Sequence, residues 1–326
     1  MTTFTTNSQC FDNTRLSEYK RCPRAFLIRH VLHWTPGGSR DPLVFGSSWH
    51  AGLDVVWQHG KKFEPLELTH LAAMAFEKVW QEEGYPLEVG FGGWERFGPR
   101  TPGVAKEMYF HYINKRWGMI QESEVLGIEQ PFAVPIPGLV DTFYVGKLDK
   151  TIQYQSQTLV LEHKSTTAYA TVGGFRTDYV DSWYASSQVK GYQFGGGLYY
   201  PSLDGVWVDA ALVHKKIHDT FKFIPVAHNL ELLSEWLNNT KTWVSRVSES
   251  KRQQKAGIPV HLCFPKNEDS CFGKFGQCEY LDICRTCPDP TKLDGPPQGY
   301  HVEVWEPFDL LKLDKLVKES TDGTQD

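Results

Sequence analysis

The pattern of apolar and polar positions between residues 143 and 164 predicts a β-hairpin. Two apolar runs are separated by the polar segment 155–158, which favours a turn. Apolar runs on either side of a short polar turn are typical of paired strands. The positions that carry this pattern are Tyr144, Val145, Leu148 and Ile152 in the first run and Leu159, Val160 and Leu161 in the second.

The register of this hairpin decides which charged side chains meet. If Tyr154 lies opposite Leu159, then Asp149 faces Lys164. Glu162 lies two residues before that lysine, and side chains alternate along a strand. Because cross-strand partners also share a face, all three charged side chains are predicted on one face. A shift of one residue would separate them.

Two carboxylates beside a lysine have a chemical use. Carboxylate oxygens bind hard divalent cations such as Mg²⁺, and a bound cation polarises a phosphoryl oxygen. Lys164 would then orient or deprotonate an attacking water, or stabilise charge on a phosphate. The alternative is an ordinary ion pair on a half-exposed hairpin, since charged cross-strand pairs are common.

Helical periodicity precedes the hairpin. The predicted helices run from Ser17 to Leu32 with a break at Pro23 directly after Cys22, from Gly46 to Trp57 with Ser47 or Ser48 as cap, from Pro65 to Glu83, and from Val104 to Trp117. The Gly/Pro-rich segment 84–103 is predicted to be a loop. His50 falls in the first turn of the second helix, where it is either a structural hydrogen-bonding group or a metal ligand.

After the hairpin, the pattern returns to helices and strands. A helix is predicted from Thr177 to Phe194, ended by three glycines, followed by strands at 206–213 and 221–225 and a helix at 230–250. Tyr184, Gln188 and Tyr192 recur every four residues and are predicted on one helix face. This face either contacts a phosphate and a base or packs on the sheet.

Composition narrows the class of protein. The 326 residues are 40% hydrophobic and 13% aromatic, which indicates a globular protein with a large core. The formal net charge of −5 excludes a strongly basic chain, so nucleic-acid binding would depend on a local patch. Neither a membrane-spanning run nor a signal peptide is recognised, which predicts a cytoplasmic protein. A Gly-rich phosphate-binding loop is also missing, which disfavours an ATP-driven motor.

The cysteines point to a metal or cluster. Five of the seven lie within 25 residues near the C-terminus: Cys263, Cys271, Cys278, Cys284 and Cys287. An odd count without a signal peptide disfavours a disulfide framework. Zinc ribbons use two closely spaced pairs, which this segment lacks. An iron–sulfur cluster held by four thiolates accepts wider spacing.

Taken in order, these motifs resemble those of RecB-like nucleases of the PD-(D/E)xK superfamily. The matching positions are His50, Gly146-Lys-Leu-Asp149, Glu162-His-Lys164 and Gln188-Val-Lys-Gly-Tyr192. Cys22-Pro-Arg, far from the C-terminal cysteines, resembles the iron–sulfur subgroup. That subgroup includes AddB-type nuclease domains and related CRISPR-associated and phage-encoded exonucleases. Many relatives have two residues between the first two C-terminal cysteines, whereas this chain has six.

The resemblance implies a role for each matching residue. Lys164, Glu162 and Asp149 would be catalytic, and Mg²⁺ or Mn²⁺ would be bound by His50, Asp149, Glu162 and the backbone carbonyl of His163. Gln188 and Tyr192 would contact DNA or support the site. A 4Fe–4S cluster would be held by Cys22, Cys271, Cys278 and Cys284, with Cys287 as the substitute for the last ligand.

The resemblance also implies a fold and an activity. The fold would be an α/β, restriction-endonuclease-like core with a mixed central sheet flanked by helices, a helical N-terminal part and an iron–sulfur C-terminal segment. One nuclease domain would cover residues 1–290, with a helical insertion at about 47–120, a catalytic core at about 124–250 and the cluster segment at 257–290 joined to Cys22; residues 291–326 would be an extension.

The implied activity is metal-dependent hydrolysis of DNA, most simply exonucleolytic on single-stranded ends, in recombination, repair or phage DNA processing. The partner protein would be a helicase or a recombination protein, and no membrane association is expected. The protein would act in the cytoplasm, or in the host cytoplasm if it is phage-encoded. The alternatives are a structure-specific endonuclease and an iron–sulfur DNA-binding subunit of a helicase–nuclease or CRISPR adaptation complex.

Overall fold

The computed structural model describes residues 8–38, 40–88, 95–170, 174–273 and 276–304. The chain divides into two compact units. The first unit comprises Met1–Ser39, Pro131–Gly146 and Leu230–Asp326, and the second comprises Arg40–Gln130 and Lys147–Asn229. Residues 305–326 of the predicted C-terminal extension lie outside the described residues. Of the helices that are described, none combines the length and the apolar composition needed to cross a lipid bilayer.

Runs of helices and runs of strands follow one another along the described residues. The strands are β1 (Gln9–Phe11), β2 (Trp34–Pro36), β3 (Glu124–Pro135), β4 (Thr142–Tyr154), β5 (Gln157–Thr166), β6 (Tyr169–Ala170), β7 (Gly174–Phe175), β8 (Leu203–Leu212), β9 (Phe221–Ala227), β10 (Phe272–Gly273), β11 (Gly276–Gln277) and β12 (Tyr300–Val302). The helices are α1 (Asn13–Arg21), α2 (Pro23–Phe26), α3 (Asp41–His59), α4 (Pro65–Glu82), α5 (Pro102–Glu122), α6 (Thr177–Ser182), α7 (Ser187–Tyr199), α8 (Leu230–Lys255), α9 (Val260–Cys263) and α10 (Leu281–Thr286).

The second unit contains a mixed sheet in the order β4–β5–β8–β9. β5 and β8 are parallel, whereas β4–β5 and β8–β9 are antiparallel pairs. In the first unit, β1 pairs in parallel with residues 142–144 of β4. The predicted α/β class, with a mixed sheet flanked by helices, is confirmed.

The turn between β4 and β5 is tighter than the sequence pattern suggested. Tyr154 pairs with Gln157, not with Leu159, because Gln155 and Ser156 alone form the turn. Both turn residues adopt a left-handed backbone, with φ of 47° and 65°, as a two-residue type I′ turn requires. The predicted register is therefore wrong by two residues. An even difference leaves every side chain on its predicted face.

Helices α3, α4 and α5 build the main core of the second unit. Their buried side chains pack with the apolar residues of β5 and β8; the largest are Phe45, Trp49, Trp57, Phe76, Trp80, Tyr109 and Tyr112. Gly52 on α3 allows this packing, because a Cβ there would lie 2.2 Å from the hydroxyl of Tyr109. The tight contact fixes the helix that carries His50.

Helix α3 begins earlier than predicted. Its first residue is Asp41, and Pro42 in the first turn has the fixed φ that helix starts favour. The predicted caps lie inside the helix, where Ser47 donates a hydrogen bond to the carbonyl of Leu43 at 2.8 Å. His50 is therefore in the middle of the helix rather than in its first turn.

The single helix predicted from 177 to 194 is two helices. Ser186 caps the second, accepting a hydrogen bond from the backbone of Val189 at 3.4 Å. Tyr184 lies between α6 and α7 and so does not share a helix face with Gln188 and Tyr192. The three glycines continue α7 instead of ending it, since Gly196 lets the helix approach Leu203 on the sheet.

Candidate active site

The predicted carboxylates meet where the β4–β5 ladder ends. Regular pairing stops at Lys150 and Leu161. Beyond it, the side chain of Asp149 replaces a main-chain acceptor: its Oδ2 accepts a hydrogen bond from the backbone N–H of His163 at 2.9 Å. Asp149 is thus held by the strand that carries the second carboxylate, and its predicted pairing with Lys164 is wrong.

Glu162 and Lys164 lie two residues apart on β5, so their side chains share one face. They form an ion pair between Oε1 and Nζ. Gln188 on α7 donates a hydrogen bond from Nε2 to the same carboxylate oxygen at 3.0 Å, and another to the hydroxyl of Tyr192 at 2.7 Å. The structure therefore places Gln188 and Tyr192 against the buried carboxylate. Their arrangement supports Glu162 directly.

His50 reaches the same place from α3. Its Nε2 lies 2.9 Å from the backbone carbonyl of His163, and its Nδ1 lies 3.5 Å from Oδ2 of Asp149. Partial burial lowers the pKa of His50, which favours the neutral ring. If Nε2 carries the proton, Nδ1 presents a lone pair toward a carboxylate oxygen. Two facing acceptors of this kind are stabilised by a cation between them.

Glu129 is a further member of the site that the sequence pattern did not identify. Ligand atoms of His50, Glu129 and Asp149 all lie within 4.8 Å of one another, and this is the one such group in the part of the chain that the structure describes. Glu129 lies on β3, adopts a left-handed backbone with φ of 50°, and forms an ion pair with Lys147. Such a conformation is unfavourable for glutamate within a strand and persists only where the surrounding structure holds it.

The two carboxyl groups on β4 and β5 titrate in opposite directions. Burial, reinforced by the charge of Asp149, raises the pKa of Glu162 to about 8 although Lys164 opposes the change. Burial alone would raise the pKa of Asp149 as well, but His50, Lys150 and Lys164 lower it well below its usual value. Asp149 therefore ionises at a lower pH than Glu162, and a cation bound beside them would lower the pKa of Glu162.

The residues present fit a hard divalent cation. Oε1 of Glu129 and Oε2 of Glu162 are buried, and neither has a hydrogen-bond partner among the described residues. Buried carboxylate oxygens without partners are costly, and a cation would satisfy them. With the imidazole of His50 and the carboxylate of Asp149, they form an oxygen-rich ligand set of the kind that Mg²⁺ and Mn²⁺ prefer.

A buried charged network lies behind His163. Asp209 on β8 is 2% exposed and accepts hydrogen bonds from the hydroxyl of Tyr112 and the guanidinium of Arg116, both at 2.7 Å. Burial would raise the pKa of Asp209, but Arg116 keeps it below its usual value. Nδ1 of His163 lies 3.5 Å from the same carboxylate, and burial lowers the pKa of His163 to about 4. The network thereby fixes the peptide that contacts the metal-ligand candidates.

The cysteine group lies in the first unit. Cys22, Cys271, Cys278 and Cys284 line one small cavity, whereas Cys287 packs in the adjoining apolar cluster and does not line the cavity. Cys22 is the N-cap of α2, where the predicted break at Pro23 occurs. The β10–β11 hairpin brings the next two ligand candidates together, with a hydrogen bond of 2.8 Å from the backbone N–H of Cys278 to the carbonyl of Cys271.

Hydrogen bonds from side chains to backbone carbonyls tie the N-terminal helices to the C-terminal segment. Arg24 is 1% exposed and donates to the carbonyls of Phe264 and Pro288 at 3.0 and 2.8 Å. Asn267 and Ser270 each donate to the carbonyl of Arg21 at 2.8 Å. The C-terminal segment therefore docks through polar contacts as well as through any group that the thiols hold.

Two of the cavity-lining thiols have raised pKa values. Burial raises the pKa of Cys284 to about 11 although the charges of Lys266 and Arg24 oppose the change, and the neighbouring sulfurs add to the increase. Burial and neighbouring sulfurs also raise the pKa of Cys271. Thiolates placed in this way need a cationic centre to become stable ligands.

The chain was compared with protein families, curated proteins and solved structures. A family model described as "PD-(D/E)XK nuclease superfamily" matches residues 13–285. No curated protein matches the chain. Among solved structures, the chain is similar to the crystal structure of a "Putative exonuclease" from Eubacterium rectale, with 13% identity, a TM-score of 0.49, and coverage of 95% of this chain and 98% of that one. Because the family model spans most of the sequence, including every carboxylate of the site, the chain belongs to the PD-(D/E)XK nuclease superfamily.

Proposed function

We propose that this protein hydrolyses the phosphodiester bonds of DNA with Mg²⁺ or Mn²⁺ and acts as an exonuclease on single-stranded ends. The observation that carries the proposal is the convergence of His50, Glu129 and Asp149 beside the buried Glu162–Lys164 pair. Glu129 joins the predicted ligands His50, Asp149, Glu162 and the carbonyl of His163 as a metal-ligand candidate.

The residues divide the chemical work. A bound divalent cation would polarise the phosphoryl oxygen and activate water. Burial would lower the pKa of Lys164, but the carboxylates of Glu162 and Asp149 raise it above its usual value. Lys164 therefore stays charged at neutral pH, and its role is to orient the attacking water and stabilise negative charge on the phosphate rather than to accept a proton.

The exonucleolytic part of the proposal follows from the resemblance to RecB-like nucleases. The AddB-type subgroup, the roles in repair or recombination and a helicase partner follow from the same resemblance. A structure-specific endonuclease is the competing activity, because the same ligand set would serve both.

An end-labelled degradation assay tests the activity. Linear single-stranded, linear double-stranded and circular single-stranded DNA are incubated with Mg²⁺ or Mn²⁺ and sampled over time. We expect stepwise shortening of the linear single strand and an intact circle. Cleavage of the circle would establish an endonuclease, and the absence of metal-dependent cleavage on every substrate would contradict the proposed function.

We also propose that Cys22, Cys271, Cys278 and Cys284 hold a 4Fe–4S cluster, as the resemblance implies. The fit is chemical: four thiol side chains surround one cavity, and a cluster of this type takes four thiolates. In a tetrahedral zinc site the sulfurs would lie about 3.8 Å apart. Among the residues described, no three cysteine sulfurs lie mutually within 4.8 Å, which favours the larger cluster.

Metal analysis of anaerobically purified protein tests the cluster. We expect about four irons and four sulfides per chain, as one cubane requires. Zinc in place of iron would contradict the cluster and leave the nuclease proposal standing. A Cys287→Ser variant should retain its iron, because Cys287 does not line the cavity.

A further inference from the structure

A basic groove in the second unit lies beyond the carboxyl end of β5, the strand that carries Glu162 and Lys164. The cavity, of about 630 Å³, is lined by Arg100, Thr167, His214, Lys215 and Lys216 together with Pro99 and Val213. None of these lining residues is acidic, although the whole chain carries a net charge of −5. A local concentration of cations on an acidic protein is the footprint expected of a site for an anionic ligand.

The position of the groove follows from the parallel pair β5–β8. Lys164 pairs with Ala210 and Thr166 pairs with Leu212, so the segments after both strands leave the sheet at the same edge. The backbone N–H of Val213 donates to the carbonyl of Thr166 at 2.7 Å and holds the two segments together. Ligands of α/β proteins commonly bind beyond the carboxyl ends of parallel strands.

The groove is close enough to the site to serve the same substrate. Thr167 follows Lys164 by three residues, and a strand rises about 3.3 Å per residue, which places it roughly 10 Å further along. Arg100 approaches from the segment before α5, with its guanidinium 3.5 Å from the hydroxyl of Thr167. A phosphate at the catalytic lysine and another in the groove could therefore belong to one short strand.

Four aromatic residues lie along the chain between the catalytic lysine and the groove. The ammonium of Lys164 lies 5.9 Å from the centre of the Trp183 ring, and Tyr179 lies between Trp183 and Phe175 with centroid distances of 6.0 and 6.1 Å. Phe175 pairs with Tyr169 across the β6–β7 ladder. We call these four aromatic residues the aromatic series.

The aromatic series ends at the groove itself. The ring of Tyr169 lies 4.8 Å from that of His214, which lines the groove, and Tyr169 is 36% exposed. A cationic groove beside exposed rings is the arrangement with which proteins bind single-stranded nucleic acid, because phosphates contact the cations and bases stack on the rings.

We propose that the basic groove and Tyr169 bind the single-stranded segment next to the scissile phosphate. The lysines would contact its phosphates, and Tyr169 would stack on one of its bases. This inference rests on the proposed function and adds the surface that holds the substrate strand. Gln188 and Tyr192 are then free to act as supports of Glu162.

Salt-dependent binding of a labelled oligothymidylate tests the inference. Fluorescence anisotropy is measured in the presence of EDTA, which prevents metal-dependent cleavage, for the Lys215→Ala/Lys216→Ala variant. The matched control is Lys61→Ala/Lys62→Ala, an equally exposed adjacent pair in the same unit that does not line the groove.

We expect the groove variant to bind about ten-fold more weakly at moderate salt. The slope of log Kd against log salt should fall by about 1.4, as the loss of two single-strand phosphate contacts requires. Tyr169→Ala should weaken binding with an unchanged slope, because stacking releases no counterions. Equal affinity and slope for the groove and control variants would overturn the proposal, and so would a loss of affinity without a change of slope.

The two proposals fail in different ways. The nuclease proposal is tested on the unaltered protein with Mg²⁺, and its failure is the absence of cleavage of any DNA. The groove proposal fails when the unaltered protein cleaves DNA but the groove variant binds the oligonucleotide as the control does.

Discussion

The carboxylate site of the second unit and the cysteine group of the first unit are built on different principles. The carboxylates lie on long strands and are held by direct hydrogen bonds, such as that from His163 to Asp149. The cysteines lie at a helix cap, beside a hairpin of two-residue strands and in a six-residue helix. Short elements of this kind have little stability of their own.

This difference in the supporting elements indicates which of the two sites needs its metal or cluster for stability. A sheet and a buried network already position the carboxylates, so a metal there should affect activity more than stability. Burial raises the pKa of Cys271 and Cys284, and the cavity-lining cysteines lie on short elements. A cluster there should contribute to stability, with the hydrogen bonds of Arg24 supplying the remainder.

The largest expected effect is loss of cleavage in Asp149→Ala and Glu162→Ala. Each removes a metal-ligand candidate, and we expect turnover to fall by about 10⁴-fold, equivalent to about 5.5 kcal/mol. The melting temperature should change little compared with Glu83→Ala, an exposed control. Near-normal cleavage by Glu162→Ala would refute the proposed site.

Among the proposed substitutions, loss of the Asp209 carboxylate should destabilise the second unit most strongly. Asp209→Ala leaves Arg116 without its charge partner in the interior, which should lower the free energy of unfolding by about 3–5 kcal/mol. Denaturant unfolding measures this effect, with the exposed Asp219→Asn as control. A change below about 1 kcal/mol is typical of exposed ion pairs. Such a result would mean that the Asp209 network does not stabilise the strand that carries His163.

Replacement of a predicted cluster ligand should affect stability rather than chemistry. Cys22→Ser should lose iron and lower the free energy of unfolding by about 2–4 kcal/mol, as loss of a cross-link between distant segments does. Limited proteolysis should cleave both ends of the first unit together. Cys10→Ser and Cys263→Ser are the controls, because neither cysteine lines the cavity. Unchanged iron content in Cys22→Ser would exclude it as a ligand.

Acid should destabilise the first unit through His30. Burial, together with Arg15, Arg29, Lys251 and His33, lowers the pKa of His30 to about 3.

The unfolded chain therefore binds a proton below pH 6.5 that the folded chain excludes, and stability falls as the pH decreases from 6.5 toward 3. The loss should reach about 2 kcal/mol at pH 5. His30→Phe should flatten this dependence in unfolding curves measured from pH 7 to 5, and parallel curves would contradict the assignment.

The smallest expected effect concerns the support of Glu162. Tyr192→Phe removes the hydroxyl that accepts a hydrogen bond from Gln188, and kcat/KM should fall by about three- to ten-fold. Metal titrations should change little. A different result would be normal turnover in Tyr192→Phe and reduced turnover in Tyr192→Ala, with weaker single-strand binding. It would mean that the ring of Tyr192 acts on the substrate and that its hydroxyl is not needed.

Period-two alternation made the catalytic face predictable. Asp149, Glu162 and Lys164 were assigned to one patch although the turn was wrong by two residues, because an even shift preserves faces. The cap of α2 at Cys22 was likewise readable, since Pro23 directly follows it.

Other features depend on tertiary structure and left no periodic signal. Glu129 joins the site through a left-handed backbone within a strand, which alternation cannot indicate. Asp209 is an acidic residue in an apolar strand, and that mismatch was the one available sign of its buried network. The spacing of the cysteines also does not indicate that Cys284 lines the cavity and Cys287 does not.

The discontinuous make-up of the first unit has a consequence for biosynthesis. It combines Met1–Ser39 and Pro131–Gly146 with Leu230–Asp326, whereas the second unit is complete in sequence by Asn229. Ribosomes add about 5–20 residues per second. Cys22 thus emerges on the order of 10–50 s before Cys271, while the nascent chain can already fold the carboxylate site. Cluster assembly would therefore follow the synthesis of the whole second unit.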